Sequence, residues 1–454
     1  MYTKFLTYAD RDITIDRVLQ IIQLFQTNDL PKLKKLKDYY DGKQAIMFRE
    51  ATDDGRPCSK VVVNYCKTVT GTFEGAICSK PISFVTDSDE DDEIGNILNY
   101  NDINTMNSEY LRQALIYGRA FQIMYVLDGK QRIQIFDSRE CIPVYDDTIE
   151  QNLKYVIRFF QSNAGGDAET ETLYKIELYS ANTTTYFDST PGFNTAIETD
   201  EIPNFYDQCP VTVFSLNTDE TGIFEPILSL QDSVNETLSL NLDALSDWSD
   251  AYLVLQGMSA DEESLKDMKK HRCILLDGDE HCNAEFLTKN ASDTQSKDLL
   301  ETLNTKIWTI CQCPDFSDPQ TFGNASSGVA LKYKLLSFQQ ALGNIENQFR
   351  KALQRMIELM SSLINSINGE EVWRDIEIVF NENFPVQYDD ITKLVNALRG
   401  IVSMQTMLSW IPGIDDPLEE MKRLEEEKRK NADLYYFENK EQFSDDNIDD
   451  GEEE

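Results

Sequence analysis

The sequence predicts an α+β fold, and three observations carry that reading. Up to about residue 222 the chain alternates helix-periodic segments with short strand-like runs, whereas the remainder is dominated by long helices. Leu331, Leu335, Phe338, Leu342, Ile345, Phe349, Leu353, Met356, Met360, Leu363 and Ile367 recur at spacings of almost strictly three and four, which puts them on one stripe of one helix. At about 1.5 Å per residue that stripe makes a rod of roughly 55 Å, longer than most single domains need. A breaker-rich loop, PDFSDPQTFGNASSG, with Pro314, Pro319, Gly323 and Gly328 among small polar residues, runs straight into it. A rod entered by such a loop suggests a component of a larger assembly.

Taken in order, residues 12–25 read as a helix on Ile13, Ile15, Val18, Leu19, Ile22 and Leu24, and the lysine-bearing segment 30–40 continues it to the Asp41-Gly42 turn. Residues 61–75 carry a mixed apolar pattern that reads as a helix, stopped by Ser79, Lys80 and Pro81. An acidic run, 87–93, precedes a helix around 94–118. Strands are expected at 120–127 and 131–136, turned by Asp128-Gly129, and again at 141–146, 154–160, 172–179 and 184–187, with a hairpin loop at 163–167.

The character then changes. A long helix is expected over 224–251, with Ile227, Leu230, Val234, Leu238, Leu245, Trp248 and Tyr252 on one face. A small α/β insertion follows, with a helix near 261–270 and strands near 252–257, 272–277 and 284–288. A further helix at about 295–312 returns the chain to the breaker-rich loop. After the rod, 373–380 alternates as a strand. Two helices close the chain, one near 389–409 and one opening on Asp416-Pro417, an N-cap with proline at the first helical position. Glu419 and Arg423, Glu425 and Arg429, and Glu426 and Lys430 are placed to pair at i,i+4 on the last of these. The acidic end, 437–454, is expected to be disordered.

The charge is lopsided: 80 acidic against 42 basic residues, a formal net of −38. Such a surface repels phosphates unless a basic patch intervenes. The nearest approach to a patch is Lys32, Lys34, Lys35 and Lys37, and interleaved Leu33 and Leu36 make these the solvated face of a short helix. Nine cysteines show no framework spacing, and Cys273, His281 and Cys282 are not completed to a zinc site, so free thiols are expected. The amino terminus MYTKFLTYADRD lacks the apolar core of a secretory signal, and no stretch is long and apolar enough to span a membrane, so an intracellular soluble protein is expected. Asn182, Asn235, Asn290 and Asn324 match the glycosylation triplet only formally.

Catalytic chemistry finds little material. There is no P-loop, no Gly-x-Gly-x-x-Gly, and only two histidines. The stretch Gly323 to Gly328 precedes a helix and could hold an anion, although a loop with Ser326 or Ser327 capping the rod is the favoured reading. No enzyme activity, catalytic residue, metal site or cofactor is expected.

Four groups of residues carry a resemblance. The first is Leu36 to Lys43 (LKDYYDGK) with Val63-Asn64-Tyr65 and Gly75 through Ile82. The second is Gly118-Arg119-Ala120-Phe121 with Asp137 to Glu140 (DSRE). The third and sharpest is Pro314-Asp315-Phe316 with Gly323 to Lys334 (GNASSGVALKYK). The fourth is Leu394-Val395 with Gly400 to Ser403 (GIVS) and Ile414 to Glu420 (IDDPLEE). In this order, across about residues 36–430, the chain resembles the portal proteins of tailed double-stranded DNA bacteriophages, of the long-tailed siphophage type.

The resemblance implies a portal fold: a wing over 1–222, stem helices at 223–252 and 295–312, a clip at 253–294, a tunnel loop at 313–328, a long helix and return strand to the wing at 329–384, a crown at 385–436, and the acidic tail. It implies a dodecameric homo-oligomeric ring at one capsid vertex, assembled in the host cytoplasm, with double-stranded DNA in transit and no sequence-specific contact. The partners it implies are the large terminase motor, a head–tail adaptor, and the major capsid and scaffold proteins; no membrane is involved. It places Asp315, Phe316, Asp318, Phe322, Asn324, Ser326 and Ser327 on the DNA-facing loop. A conduit that lets DNA slide should not grip phosphates, and no Lys or Arg lies between Pro314 and Leu331. Copies this acidic repel, so assembly must rest on apolar contact, aided by salt screening or bound cations. The alternative is a head–tail or baseplate structural protein that is not a portal, which would lack the helix–insertion–helix–loop–rod order.

Overall fold

The computed structural model describes residues 2–51, 57–85, 93–162, 173–247, 252–256, 283–287, 293–316, 328–368, 376–381, 395–411, 414 and 417–442. Strand β1 (Phe5–Thr7) leads into helices α1 (Ile15–Asn28) and α2 (Leu30–Tyr40). Thr14 caps α1 through the Arg17 N–H, and the chain breaks at Asp29, so two helices stand where one continuous segment was expected. Asp29 is buried and accepts the backbone N–H and the hydroxyl of Thr3, which binds the amino-terminal strand to the helical layer. On α2 the leucines Leu33 and Leu36 are buried, while Lys32 pairs with Glu225 and Lys37 with Asp41.

Helix α3 (Tyr65–Cys78) begins at the Asn64 cap rather than at Val61. Helix α4 (Glu93–Tyr100) is separate from α5 (Ile103–Tyr117), because Asp102 adopts φ +50° and the Asn101 amide turns away to bond Gln131 O and Ile133 N. Strand β2 (Ser83–Val85) lies between α3 and α4 and pairs with β13 (Glu377–Val379).

Two larger sheets follow. Strands β3 (Arg119–Leu127) and β4 (Lys130–Phe136) form the expected hairpin, with Asp128 and Gly129 both at positive φ as a tight two-residue turn requires. Strand β10 (Val211–Ser215) adds to β3. The second sheet has the order β1-β5-β6-β7-β8-β9, with β5 (Cys141–Asp146), β6 (Leu153–Ser162), β7 (Leu173–Tyr179), β8 (Thr183–Ser189) and β9 (Ala196–Pro203), where β1 runs parallel to β5 and the other pairs are antiparallel. Strands β1, β2, β9 and β10 escape the sequence reading. Strand β9, AIETDEIP, carries three acids and is mostly exposed, so its pairing to β8 overrides a poor intrinsic preference for strand. The expected hairpin loop at 163–167 lies outside the described residues.

A 3-10 turn (Glu225–Ile227) opens α6 (Leu228–Asp247), and strands β11 (Tyr252–Gln256) and β12 (Asn283–Leu287) pair beyond it. The expected helix at 261–270 and strand at 272–277 lie outside the described residues. Helix α7 (Asp293–Ile310) packs on α6, and α8 (Gly328–Asn368) is the rod, about 60 Å long for its 41 residues.

The rod is the spine of the core. Phe338, Leu342, Ile345, Phe349, Leu353, Met356 and Met360 are all buried along it. Phe349 stacks on Phe214 of β10 at 4.9 Å and meets Tyr110 of α5 edge-on, while Phe338 meets Phe73 of α3. The periodic stripe therefore does its packing against the α+β half of the chain. Beyond it, the helix expected at 389–409 is interrupted at Gly400, φ +87°, and resumes as α9 (Met404–Leu408). Helix α10 (Pro417–Gln442) runs six residues past the expected boundary at 436, because residues 437–442 contain no breaker. On it Lys430 reaches Glu426 at 4.0 Å, and Arg423 reaches Glu420 at i,i+3. Among the described residues no helix is long and apolar enough to cross a membrane.

Candidate functional site

The root of the breaker-rich loop is built by the end of α7. Gln312 takes a left-handed conformation, φ +53°, and the Cys313 N–H donates to Trp308 O at 3.1 Å, which closes the helix and turns the chain outward. Asp315 then sits within 3.5 Å of the Asn304 amide, and Phe316 is exposed. An open cleft of about 760 Å³ separates α7 from the first turns of the rod, lined by Asn304, Trp308, Asp315, Lys334 and Phe338 among others. Of the seven loop residues singled out from the sequence, Asp315 and Phe316 are thus placed at the root. Asp318, Phe322, Asn324, Ser326 and Ser327 lie outside the described residues, as does the choice between capping and anion binding at 323–327.

Beneath the root lies an arrangement the sequence reading missed. Gln231, Asn235, Ser239 and Asp243 recur every four residues along α6 and are all buried. Each accepts a backbone N–H from an alternate residue of the segment 59–65: Tyr65 N to Gln231 Oε1 at 3.1 Å, Val63 N to Asn235 Oδ1 at 3.0 Å, Val61 N to Ser239 Oγ at 3.0 Å, and Ser59 N to Asp243 Oδ1 at 2.7 Å. Four helical residues rise about 6 Å and two extended residues span about 6.6 Å, so the two periods nearly coincide. A strap of extended chain is zipped along the helix in this way. Gln44 joins the ladder by accepting from the Asn235 amide, and Arg49 pairs with the other oxygen of Asp243 at 2.8 Å. Burial pushes the Asp243 carboxyl up, but the Ser59 hydrogen bonds and Arg49 outweigh it and hold the group below the usual carboxylate range.

The ladder positions the root. Tyr65 ends the strap, and its ring meets Trp308 edge-on at 5.6 Å. Burial raises the Tyr65 phenol, and the Asp315 carboxylate raises it further. Cys66, Cys311 and Cys313 lie buried in the same core, and burial pushes each thiol up to about 12, which leaves them protonated and unreactive at neutral pH. Among the described residues no three His, Cys, Asp or Glu side chains are arranged to hold a metal ion. This chemistry suits holding a loop in place, with no activated nucleophile or acid–base pair among the groups that build it. The buried Asn235 also disposes of its glycosylation triplet.

The signal for the ladder was present as the four-residue period of polar side chains in α6. A polar period on a helix ordinarily marks the solvent face, and the strap that covers it comes from more than 160 residues earlier in the chain.

Comparison with known proteins gives a consistent result. A family model described as phage portal protein, SPP1 Gp6-like, matches residues 21–434. The portal protein of Bacillus phage SPP1 is 22% identical over 430 residues, covering 90% of this chain and 82% of that protein. The portal protein of Clostridium phage phiCD119 is 23% identical over 310 residues, covering 66% of this chain and 67% of its own length. Among solved structures, the neck of an empty gene transfer agent particle aligns with a TM-score of 0.43 at 12% identity, over 76% of this chain and 89% of that one, a likeness too loose to carry an argument.

Proposed function

The chain belongs to the SPP1 Gp6-like family of phage portal proteins, and we propose on that footing that it works as the portal of a tailed phage. It forms a ring at one capsid vertex, the conduit for double-stranded DNA during packaging and ejection. The observation that carries this reading is the extent of the family match, residues 21–434, which takes in all four groups of residues that first suggested it. The family is structural rather than enzymatic, and no catalytic step is proposed.

The finer assignments extend that reading. The ring is dodecameric, and its partners are the large terminase motor, the head–tail adaptor, and the major capsid and scaffold proteins. Residues 1–222 are the wing, α6 and α7 the stem, 253–294 the clip, 313–328 the tunnel loop, and 385–436 the crown. Asp315, Phe316, Asp318, Phe322, Asn324, Ser326 and Ser327 face the DNA. Supporting this placement, the loop carries no cation between Pro314 and Leu331, so it offers DNA no phosphate grip and little friction.

Electron microscopy of the purified protein, with its mass in solution, tests the function. A closed ring with an axial hole wide enough for a duplex is the expected result. A defined small oligomer without an axial channel would overturn it.

A further inference from the structure

The two larger sheets face each other, closed at one end and open at the other. Residues paired across strands share a face, so Ile123 and Tyr125 of β3 lie with Gln134 and Phe136 of β4 on one face of the three-stranded sheet. On the six-stranded sheet Tyr179 pairs with Thr184, Thr184 with Ile202 and Tyr186 with Asp200, which gathers these residues on one face as well. Between the faces Phe121, Ile123, Phe136, Val156 and Tyr179 form a small apolar core, separate from the main one. A cleft of about 360 Å³ continues that core: Ile123, Phe136 and Tyr179 belong to both, and Tyr125, Tyr186, Ile202 and Phe205 carry the cleft outward.

Its walls are aromatic and its mouth is exposed, with Phe205 58% accessible, Ile202 45% and Tyr125 38%. Two polar groups in the lining lack a hydrogen-bond partner. Tyr206 is 3% exposed with an unpartnered hydroxyl, and the Nε of Arg158 is buried and unpartnered although its terminal nitrogens pair with Glu140 and Glu177. Both groups can donate, so a fitting occupant brings an acceptor oxygen along with apolar bulk, as a peptide does.

Strand β9 borders the cleft through Ile202 and Pro203 and is the last strand of its sheet, so its outer backbone edge is open to a further strand. Glu198, Asp200 and Glu201 stand exposed along it. The cations of the neighbouring strands are engaged elsewhere: Lys130 and Arg132 over the Tyr100 ring, Lys154 on the carbonyls of Tyr8, Ala9 and Arg11, and Lys175 on Asp188. Charge on an edge strand blocks casual pairing, and acids alone block it selectively, repelling an acidic strand and favouring a basic one.

We infer that β9 and the adjoining cleft are a docking site for an extended basic segment of a partner protein. The segment adds as a strand to β9, seats one aromatic or branched apolar side chain in the cleft, and sets Lys or Arg against Glu198, Asp200 and Glu201. An oxygen of the segment meets the Tyr206 hydroxyl or Arg158 Nε. The formal charge of −38 steers such a partner from a distance. The site does not depend on the ring reading.

Fluorescence anisotropy of labelled peptides against the full chain tests it. The probe is a short peptide with lysines at both ends and a central Phe flanked by valines, compared with one whose lysines are glutamates and one whose Phe is alanine. The lysine–Phe peptide is expected to bind saturably and more weakly as salt rises, and each control to bind about tenfold more weakly or worse. Ile202→Ser with Phe205→Ser is expected to weaken the lysine–Phe peptide about tenfold, and Asp200→Lys with Glu201→Lys to turn the preference toward the glutamate peptide. Circular dichroism checks that the variants are folded; should the serine pair fail, Phe205→Ser alone replaces it with the same expected direction. No saturable binding, equal binding of the lysine and glutamate peptides, or binding indifferent to both variant pairs overturns the assignment. Loss of the chain's own oligomer in the serine variant also overturns it, because the occupant is then a second copy.

Discussion

The backbone N–H of Ser59 donates to Asp243 Oδ1 at 2.7 Å, and this bond closes a four-step ladder that fixes the strap 59–65 to helix α6. Through Tyr65 and Trp308 the ladder reaches the root of the proposed tunnel loop, so its integrity bears on both stability and function.

Asn235→Ala removes the acceptor of the Val63 N–H and the donor to Gln44 in a fully buried setting. An unmet buried donor costs about 1–3 kcal/mol, and the variant is expected to lose that much in urea unfolding. Leu240→Ala, at an exposed position of the same helix, should change stability by no more than about 0.5 kcal/mol.

Asp243 gives the ladder a pH dependence. Its folded-state carboxyl lies below the usual range, so the stability it contributes is present above the unfolded value and lost as pH falls through the folded one. Comparing melting temperatures of the unsubstituted chain and Asp243→Asn, the gap should be widest at neutral pH and close as pH drops below about 4. A gap that grows toward acid would contradict the assignment.

Gly118 ends α5 at φ +81°, and a Cβ there would press into the backbone carbonyl of Glu220. The left-handed backbone alone costs a side chain about 1–3 kcal/mol, and the clash adds to it. Gly118→Ala should lower the melting temperature markedly or abolish soluble expression.

Asp315→Lys and Asp318→Lys place a cation on the proposed DNA path. Each phosphate contact adds affinity and friction, so a packaging assay should show slower DNA uptake, more so at low salt. Unchanged packaging kinetics would remove these residues from the path.

Thiol labelling should be ordered by burial. Cys58 is half-buried and should react in the folded protein, whereas Cys66, Cys311 and Cys313 should label only on unfolding. Rapid modification of Cys311 in the folded state would show that the loop root opens.

The legible parts of the fold are those whose signal is local. The rod's stripe from Leu335 to Met360 is buried as its period required, and Asp128-Gly129 turns the β3–β4 hairpin with both residues at positive φ. Strands β1 and β2 were illegible because three residues carry no period, and β9 because its acids mask its pairing. Val61 to Val63 read as helix because a short apolar run fits either period. At the loop, absence of cations was readable from composition, while the support beneath Asp315 was not.

The sequence by itself determined the α+β class, the long helices and the order of segments that marks the portal family, because hydrophobic period, breakers and charge are properties of neighbours along the chain. The tertiary structure alone decided that Gln231, Asn235, Ser239 and Asp243 face inward and that Tyr65 braces Trp308. A polar side chain on a helix becomes a buried acceptor only when a distant segment brings the N–H that satisfies it, and no local pattern records where that segment will lie.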